Sequence, residues 1–92
     1  ELCLGEAEAL QIINALSSQT NRKILQLLAQ DHLDVSTIAA RLNLSQPNVS
    51  EAVQQLERLH LVKTSYAVGK RGIRKVCELA IEKLIVTFKG CA

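Results

Sequence analysis

Two amphipathic segments of the chain are separated by a connection of only two residues. The first segment, VSTIAARL, repeats its apolar side chains at the i, i+3, i+4 and i+7 positions of one helix face: Val35, Ile38, Ala39 and Leu42. Only Asn43 and Leu44 then precede Ser45, which opens the second segment. A connection this short fits only two helices that meet at an angle, so the chain must fold around a helix-turn-helix of about residues 35–60.

The second segment, SQPNVSEAVQQLERLH, has the start signals of a helix over residues 46–60. Ser45 is a good N-cap, and Pro47 suits the first turn because its missing N–H would have no partner there. The apolar side of this helix is formed by Val49, Val53 and Leu56, with His60 at its edge. The first turn and the opposite side carry amides, hydroxyls and one acid: Gln46, Asn48, Ser50, Glu51 and Gln54. Side chains that both donate and accept hydrogen bonds can meet base edges in a DNA major groove.

Two further helices are predicted before this pair. Apolar side chains at helical spacing predict the first over about residues 6–16: Ala9, Ile12, Ile13 and Leu16. Ser18 is a suitable N-cap for the next helix, which extends to about Ala29. A polar stretch follows it, and either Asp34 or Ser36 can cap the third helix.

A β-hairpin with a basic tip is predicted over residues 61–79. The segment LVKTSYAV is rich in β-branched residues, GKRG supplies two glycines for a tight reversal, and IRKVCEL alternates along its length. We expect Cys77 to be a small buried side chain, on the strand side that it shares with Ile73 and Leu79. Residues 61–92 contain seven basic and two acidic side chains, and four of the bases fall between Lys70 and Lys75. A hairpin with such a tip beside a helix-turn-helix can reach DNA phosphates.

The composition indicates one soluble domain over residues 1–92. A chain of 92 residues can build a single core, and its longest apolar runs are far shorter than the roughly 20 residues that span a membrane. The three cysteines, Cys3, Cys77 and Cys91, are odd in number and contain no Cys-x-x-Cys pair. This pattern argues against a disulfide framework and favours a reducing, cytoplasmic location.

No metal site or other cofactor is predicted. His32 and His60 have no partner at ligand spacing, and we expect His60 to be a packed or hydrogen-bonded imidazole. An enzyme is also not expected, since the sequence contains no acid pair, catalytic triad or phosphate-binding glycine loop, and the chain is short for a closed cleft.

Two stretches of the chain resemble winged-helix repressors of the arsenical-resistance (ArsR) family. These are SSQTNRKILQLL and VSTIAARLNLSQPNVSEAVQQLERLHLV, and the likeness covers roughly residues 10–76. The resemblance implies an α+β winged helix-turn-helix fold and a homodimeric, DNA-binding transcriptional regulator, expected to act as a repressor in the cytoplasm. It also implies that the N-terminal helix and the C-terminal segment form the dimer contact.

The resemblance assigns base-reading roles to residues of the helix 46–60, which corresponds to the family's recognition helix. Gln46, Asn48, Ser50 and Gln54 fall on the base-reading positions, and Glu51 stands where the family usually has His or another polar or basic residue. A carboxylate there is unfavourable unless it accepts from a cytosine amine. The predicted phosphate contacts are Ser45, Arg58, Lys70, Arg71 and Arg74. Many family members bind metal through a Cys-x-Cys pair on the first helix of the motif, whereas here VSTIAARL contains no Cys, His or acid.

The alternative function is that of a winged-helix module that binds protein in a larger assembly, since a fold does not fix a function. Such a module would carry exposed apolar or aromatic anchors on the recognition helix, where this chain has Gln, Asn and Ser. The segment 80–88 fits either a helix or a strand by its apolar pattern. Either form leaves an apolar surface, which favours a partner subunit.

Overall fold

The fold is α+β, with four helices and a three-stranded antiparallel sheet among the described residues. In the computed structural model, the described residues are 6–70, 72–81 and 83–84. The elements are α1 (Glu6–Ser17), α2 (Gln19–Leu28), β1 (Leu33–Asp34), α3 (Val35–Leu42), α4 (Gln46–Arg58), β2 (Val62–Gly69) and β3 (Gly72–Leu79). The predicted winged helix-turn-helix is confirmed: α3 and α4 form the motif, and β2 and β3 form the wing.

Three of the helices begin where a side-chain oxygen caps them. Ser18 accepts a hydrogen bond from the backbone N–H of Asn21 at the start of α2, and Ser45 does the same for Asn48 at the start of α4. Of the two candidates for α3, Asp34 is the cap, because its carboxylate accepts from the Thr37 N–H at 2.8 Å. These oxygens occupy backbone donors that the first helical turn leaves without a partner.

The turn between α3 and α4 depends on a left-handed residue. Asn43 has φ 56° and ψ 48°, and the N–H of Leu44 donates to the Ala39 carbonyl at 2.9 Å. Asn adopts this conformation more readily than other non-glycine residues, so the short connection closes α3 and sets the angle at which α4 departs.

The end of α4 corrects two expectations. The helix ends at Arg58 instead of residue 60, because His60 adopts φ 63° and reverses the chain toward β2. His60 is exposed, and no side-chain hydrogen bond to another described residue involves it, so the predicted packed or hydrogen-bonded imidazole is wrong.

The sheet has the strand order β1-β3-β2. Leu33 pairs with Cys77 in β3, and the hairpin pairs from Val62 with Leu79 out to Gly69 with Gly72. Strand β2 ends at Gly69 and β3 begins at Gly72, which has φ +110°, a value that side-chain-bearing residues rarely adopt. Strand β1 was not predicted, because two residues are too few to show a period of two.

The core lies between the helices and the base of the sheet. Ile24, Ile38, Val49, Val53 and Leu56 are fully buried, and so is Cys77, as the alternation of β3 predicts. Burial raises the pKa of the Cys77 thiol to about 11, so this cysteine stays protonated at neutral pH.

The ends of the chain limit two other expectations. Ala80, Ile81, Lys83 and Leu84 form neither helix nor strand, and Ile81 and Leu84 pack half-buried against the core. Cys3, Cys91 and the rest of the segment 80–88 lie outside the described residues. No helix in the described part of the chain is long and apolar enough to cross a membrane.

We predict that stability at Asn43 depends on the left-handed backbone. Asn43→Ala should lower the free energy of unfolding by about 1 kcal/mol, whereas Asn43→Gly should keep or raise it. Urea unfolding measures the free energy of unfolding of both variants. Asn14→Ala, the same change at an exposed position within α1, should be neutral or stabilising. Equal losses at positions 43 and 14 would contradict this explanation of the turn.

Candidate nucleic-acid interface

The structure places all five predicted base-reading residues within residues 46–54 of α4. Gln46, Asn48, Glu51 and Gln54 are exposed, and Ser50 is half-buried. On the other side of the helix, Val49, Val53 and Leu56 have no exposed surface. The apolar side therefore holds α4 in the core with the polar residues turned outward.

The start of α4 adds a polar feature to this surface. Ser45 is exposed, and its Oγ lies 3.2 Å from the Asn48 N–H that it caps. Because this bond uses the oxygen as an acceptor, the hydroxyl hydrogen remains available to donate. The helix dipole also favours an anion at this end.

A polar groove runs between α4 and the first turn of α2. It is lined by Ser18, Thr20, Asn21, Asn48, Glu51, Gln55 and Arg58, among others. Arg58 is exposed but lies at the last residue of α4, so about 18 Å of helix separates it from Gln46. The structure therefore does not bring Arg58 to the end of α4 where the predicted base-reading residues begin.

Sequence reasoning missed one buried amide that fixes this groove. Asn21 is 3% exposed, and its Nδ2 donates to the Ala15 carbonyl at 2.9 Å and to Gln55 Oε1 at 3.2 Å. These bonds connect the end of α1, the start of α2 and the middle of α4. The available signal was the position of Asn21 three residues before Ile24, on the apolar face of α2.

The wing presents its cations in different ways. Lys70 is exposed at the tip, and Arg71 lies outside the described residues. Arg74 is also exposed, but its Nη1 lies 3.5 Å from Asp34 Oδ2. Hydrogen bonds from Thr37, assisted by the nearby Arg74 charge, hold the pKa of Asp34 below its ordinary value, so this carboxylate is ionised at neutral pH.

One face of the wing carries three exposed apolar side chains beyond the body of the domain. Val68 pairs with Ile73 and Tyr66 with Lys75, so these four side chains share the face that holds Cys77 further along. Val68 is 87% exposed, and Tyr66 and Ile73 are each 72% exposed. Ile73 therefore shares the side of Cys77, as predicted, but not its burial, because the hairpin extends past the core.

His32 lies beside an acidic side chain of β3. His32 Nε2 lies 3.1 Å from Glu78 Oε2, and the other Glu78 oxygen lies 3.4 Å from Lys63. Among the described residues, no group of three or more His, Cys, Asp or Glu side chains is placed to hold a metal ion.

A family model shows which protein family the chain belongs to. The model described as "Bacterial regulatory protein, arsR family" matches residues 18–64, which extend from the cap of α2 into β2. The chain belongs to the ArsR family. No curated protein matches it. The ArsR model includes the whole helix-turn-helix, whereas the wing tip lies beyond its end.

Solved structures agree with the ArsR assignment. HlyU from Vibrio cholerae is 27% identical with a TM-score of 0.71, over 82% of this chain and 77% of that one. HlyU from Vibrio vulnificus is 28% identical with a TM-score of 0.69, over 83% of this chain and 75% of that one. Mb0332 from Mycobacterium bovis, described as a homodimeric winged helix-turn-helix DNA-binding domain, is 26% identical with a TM-score of 0.70, over 80% of this chain and 65% of that one.

Proposed function

We propose that this ArsR-family chain is a transcriptional regulator that binds double-stranded DNA as a homodimer. The carrying observation is the outward face of α4, where uncharged hydrogen-bonding side chains stand opposite three fully buried apolar residues. A regulator of this kind would act where the DNA of a bacterial cell lies, in the cytoplasm. Repression would follow if its site overlaps a promoter.

The proposed base-reading residues lie within residues 46–54 of α4: Gln46, Asn48, Ser50, Glu51 and Gln54. The amides can each make paired donor and acceptor contacts to a base edge, and Glu51 can accept only from an amine such as that of cytosine. The proposed phosphate contacts are Ser45, Arg58, Lys70, Arg71 and Arg74. Of these, Lys70 is exposed in the turn at the wing tip, directly after β2.

Exposed apolar side chains of α1 support the proposed dimer. Leu10 is 55% exposed and Ile13 is 49% exposed on this helix. Ile81 and Leu84 also remain only half-buried. We propose that α1 and the C-terminal segment contact the second subunit, in agreement with the homodimeric description of the Mycobacterium bovis neighbour.

A protein-binding module remains the second candidate, and one observation favours it. Tyr66, Val68 and Ile73 form an exposed apolar surface on the wing, which is the kind of surface that binds protein. The face of α4 carries no such anchors, so DNA binding is the better supported function.

Selection of duplexes from a random DNA pool tests the proposal directly. We expect enrichment of one palindromic sequence, because a two-fold dimer presents two copies of α4 to two half-sites. Bound fragments are sequenced after repeated rounds. A pool that stays random would reject sequence-specific DNA binding, and a single unrepeated half-site would reject the dimer.

Base reading by α4 predicts a loss of affinity that is confined to the specific DNA site. Gln54→Ala should weaken binding to the best site by about 1–3 kcal/mol and relax the preference at one base pair per half-site. Affinity for random duplex should stay nearly constant, as titrations on the two duplexes would show. Gln26→Ala, the same change on the exposed side of α2, is the control and should alter neither affinity. An equal loss on both duplexes from Gln54→Ala would reject its base-reading role.

Phosphate contact by the wing predicts a change in salt dependence. Lys70→Ala should weaken binding to the specific duplex and to random duplex alike. It should also reduce the slope of log affinity against log salt by about 0.9 for each phosphate that is no longer neutralised. A dimer has two wings, so the reduction should be close to twice that. Lys23→Ala removes an exposed lysine from α2 and serves as the charge control. An unchanged slope in Lys70→Ala would remove this residue from the interface.

A further inference from the structure

The two carboxylate oxygens of Asp34 contact different parts of the domain. Oδ1 accepts from the Thr37 N–H at 2.8 Å and from the Ser36 hydroxyl at 3.3 Å, in the first turn of α3. Oδ2 faces Arg74 Nη1 on β3 at 3.5 Å. Asp34 is only 8% exposed, so one nearly buried carboxylate connects the helix-turn-helix to the wing.

The outer half of the wing has little other support. Strand β1 pairs with β3 only at Val76 and Cys77, so the sheet is two-stranded from there to the tip. Among the described residues, the contact of Arg74 with Asp34 is the one side-chain hydrogen bond or ion pair that links residues 66–75 to the helices or β1. Exposed Tyr66, Val68 and Ile73 add no packing against the core.

The side chain of Arg74 lies over small residues of the wing. A Cβ atom at Gly69 would lie 3.2 Å from Arg74 Nε, a contact closer than ordinary packing. The glycine thus leaves room for the guanidinium to lie along the hairpin. Ala67, which pairs with Arg74, is also small.

We propose that Asp34 is a positioning residue for the wing. By holding Arg74, its carboxylate sets the direction in which the wing leaves the helix-turn-helix, and therefore the distance between Lys70 and the outward face of α4. This inference rests on the proposed DNA binding, because that distance matters only if both surfaces meet one duplex. The exposed remainder of the guanidinium stays available to a phosphate.

Asp34→Asn tests the positioning role apart from helix capping and from the general effect of an acid on DNA binding. Asparagine caps helices as well as aspartate does, so Oδ1 can still accept from Thr37. The neutral amide gives up the attraction for Arg74. Removal of an acid near DNA by itself tightens binding, because phosphates are anionic. A weakened complex would therefore oppose the simple charge effect and report the position of the wing.

The first measurement needs no DNA. Backbone ¹⁵N relaxation of the free protein should show larger fast motion at residues 66–70 and 72–75 in Asp34→Asn than in wild type, with α4 unchanged. Asp31→Asn is the matched control, since it removes an exposed acid from the loop before β1 and should leave the wing unchanged. Wing motion that is the same in all three proteins would overturn the proposal, whether or not the chain binds DNA.

The second measurement is a double-mutant cycle on the selected duplex. Asp34→Asn should weaken binding about threefold or more in wild type and should have no weakening effect in Arg74→Gln, because the partner is already absent. Asp31→Asn should not weaken binding. Equal effects of Asp34→Asn in the two backgrounds, or tighter binding from it, would overturn the proposal. If wild type binds no duplex, the proposed function fails and the relaxation measurement alone decides whether Asp34 positions the wing.

Discussion

The left-handed turn at Asn43 fixes the geometry on which the rest of the structure depends. It sends α4 away from α3 at an angle that lets Val49, Val53 and Leu56 reach the core beside Ile24 and Ile38. Once those three side chains are buried, the helical period dictates which residues of α4 face outward. The polar surface is thus a consequence of packing on the opposite side, and no contact to a ligand is needed to form it.

Local signals were sufficient for most of this architecture. Caps at Ser18 and Ser45, the short turn and the two glycines of the hairpin are each readable within a few residues, and the structure bears them out. Features that depend on distant partners were not readable. The pairing of β1 with β3, the bond from Asn21 to Gln55 and the contact of Asp34 with Arg74 each join residues more than thirty positions apart. A periodic pattern describes one element and carries no information about which element it will meet.

The chemistry of the two proposed DNA surfaces is divided in a physically sensible way. Uncharged amides gain little from a phosphate backbone but lose their own hydration if a base fails to match them, so they discriminate between sequences. Lysine and arginine attract any duplex and supply affinity without reading it. Glu51 lies beside the amides on α4, and its negative charge is the one that phosphates repel. If α4 reads bases as proposed, Glu51 would raise discrimination between sequences at the expense of general attraction to DNA.

The position of β1 has a consequence for how such a domain can diversify. It ends at Asp34 where α3 begins, and β2 begins at Val62 shortly after α4 ends. Both strands flank β3, so the entry and exit of the two-helix segment lie about two strand spacings, roughly 10 Å, apart. The segment that contains α3 and α4 therefore leaves the sheet and returns to it, and the sheet fixes the position of both ends of this segment. A recognition helix with different outward residues can be grafted between the same two strands, provided that its buried side and its left-handed turn are kept.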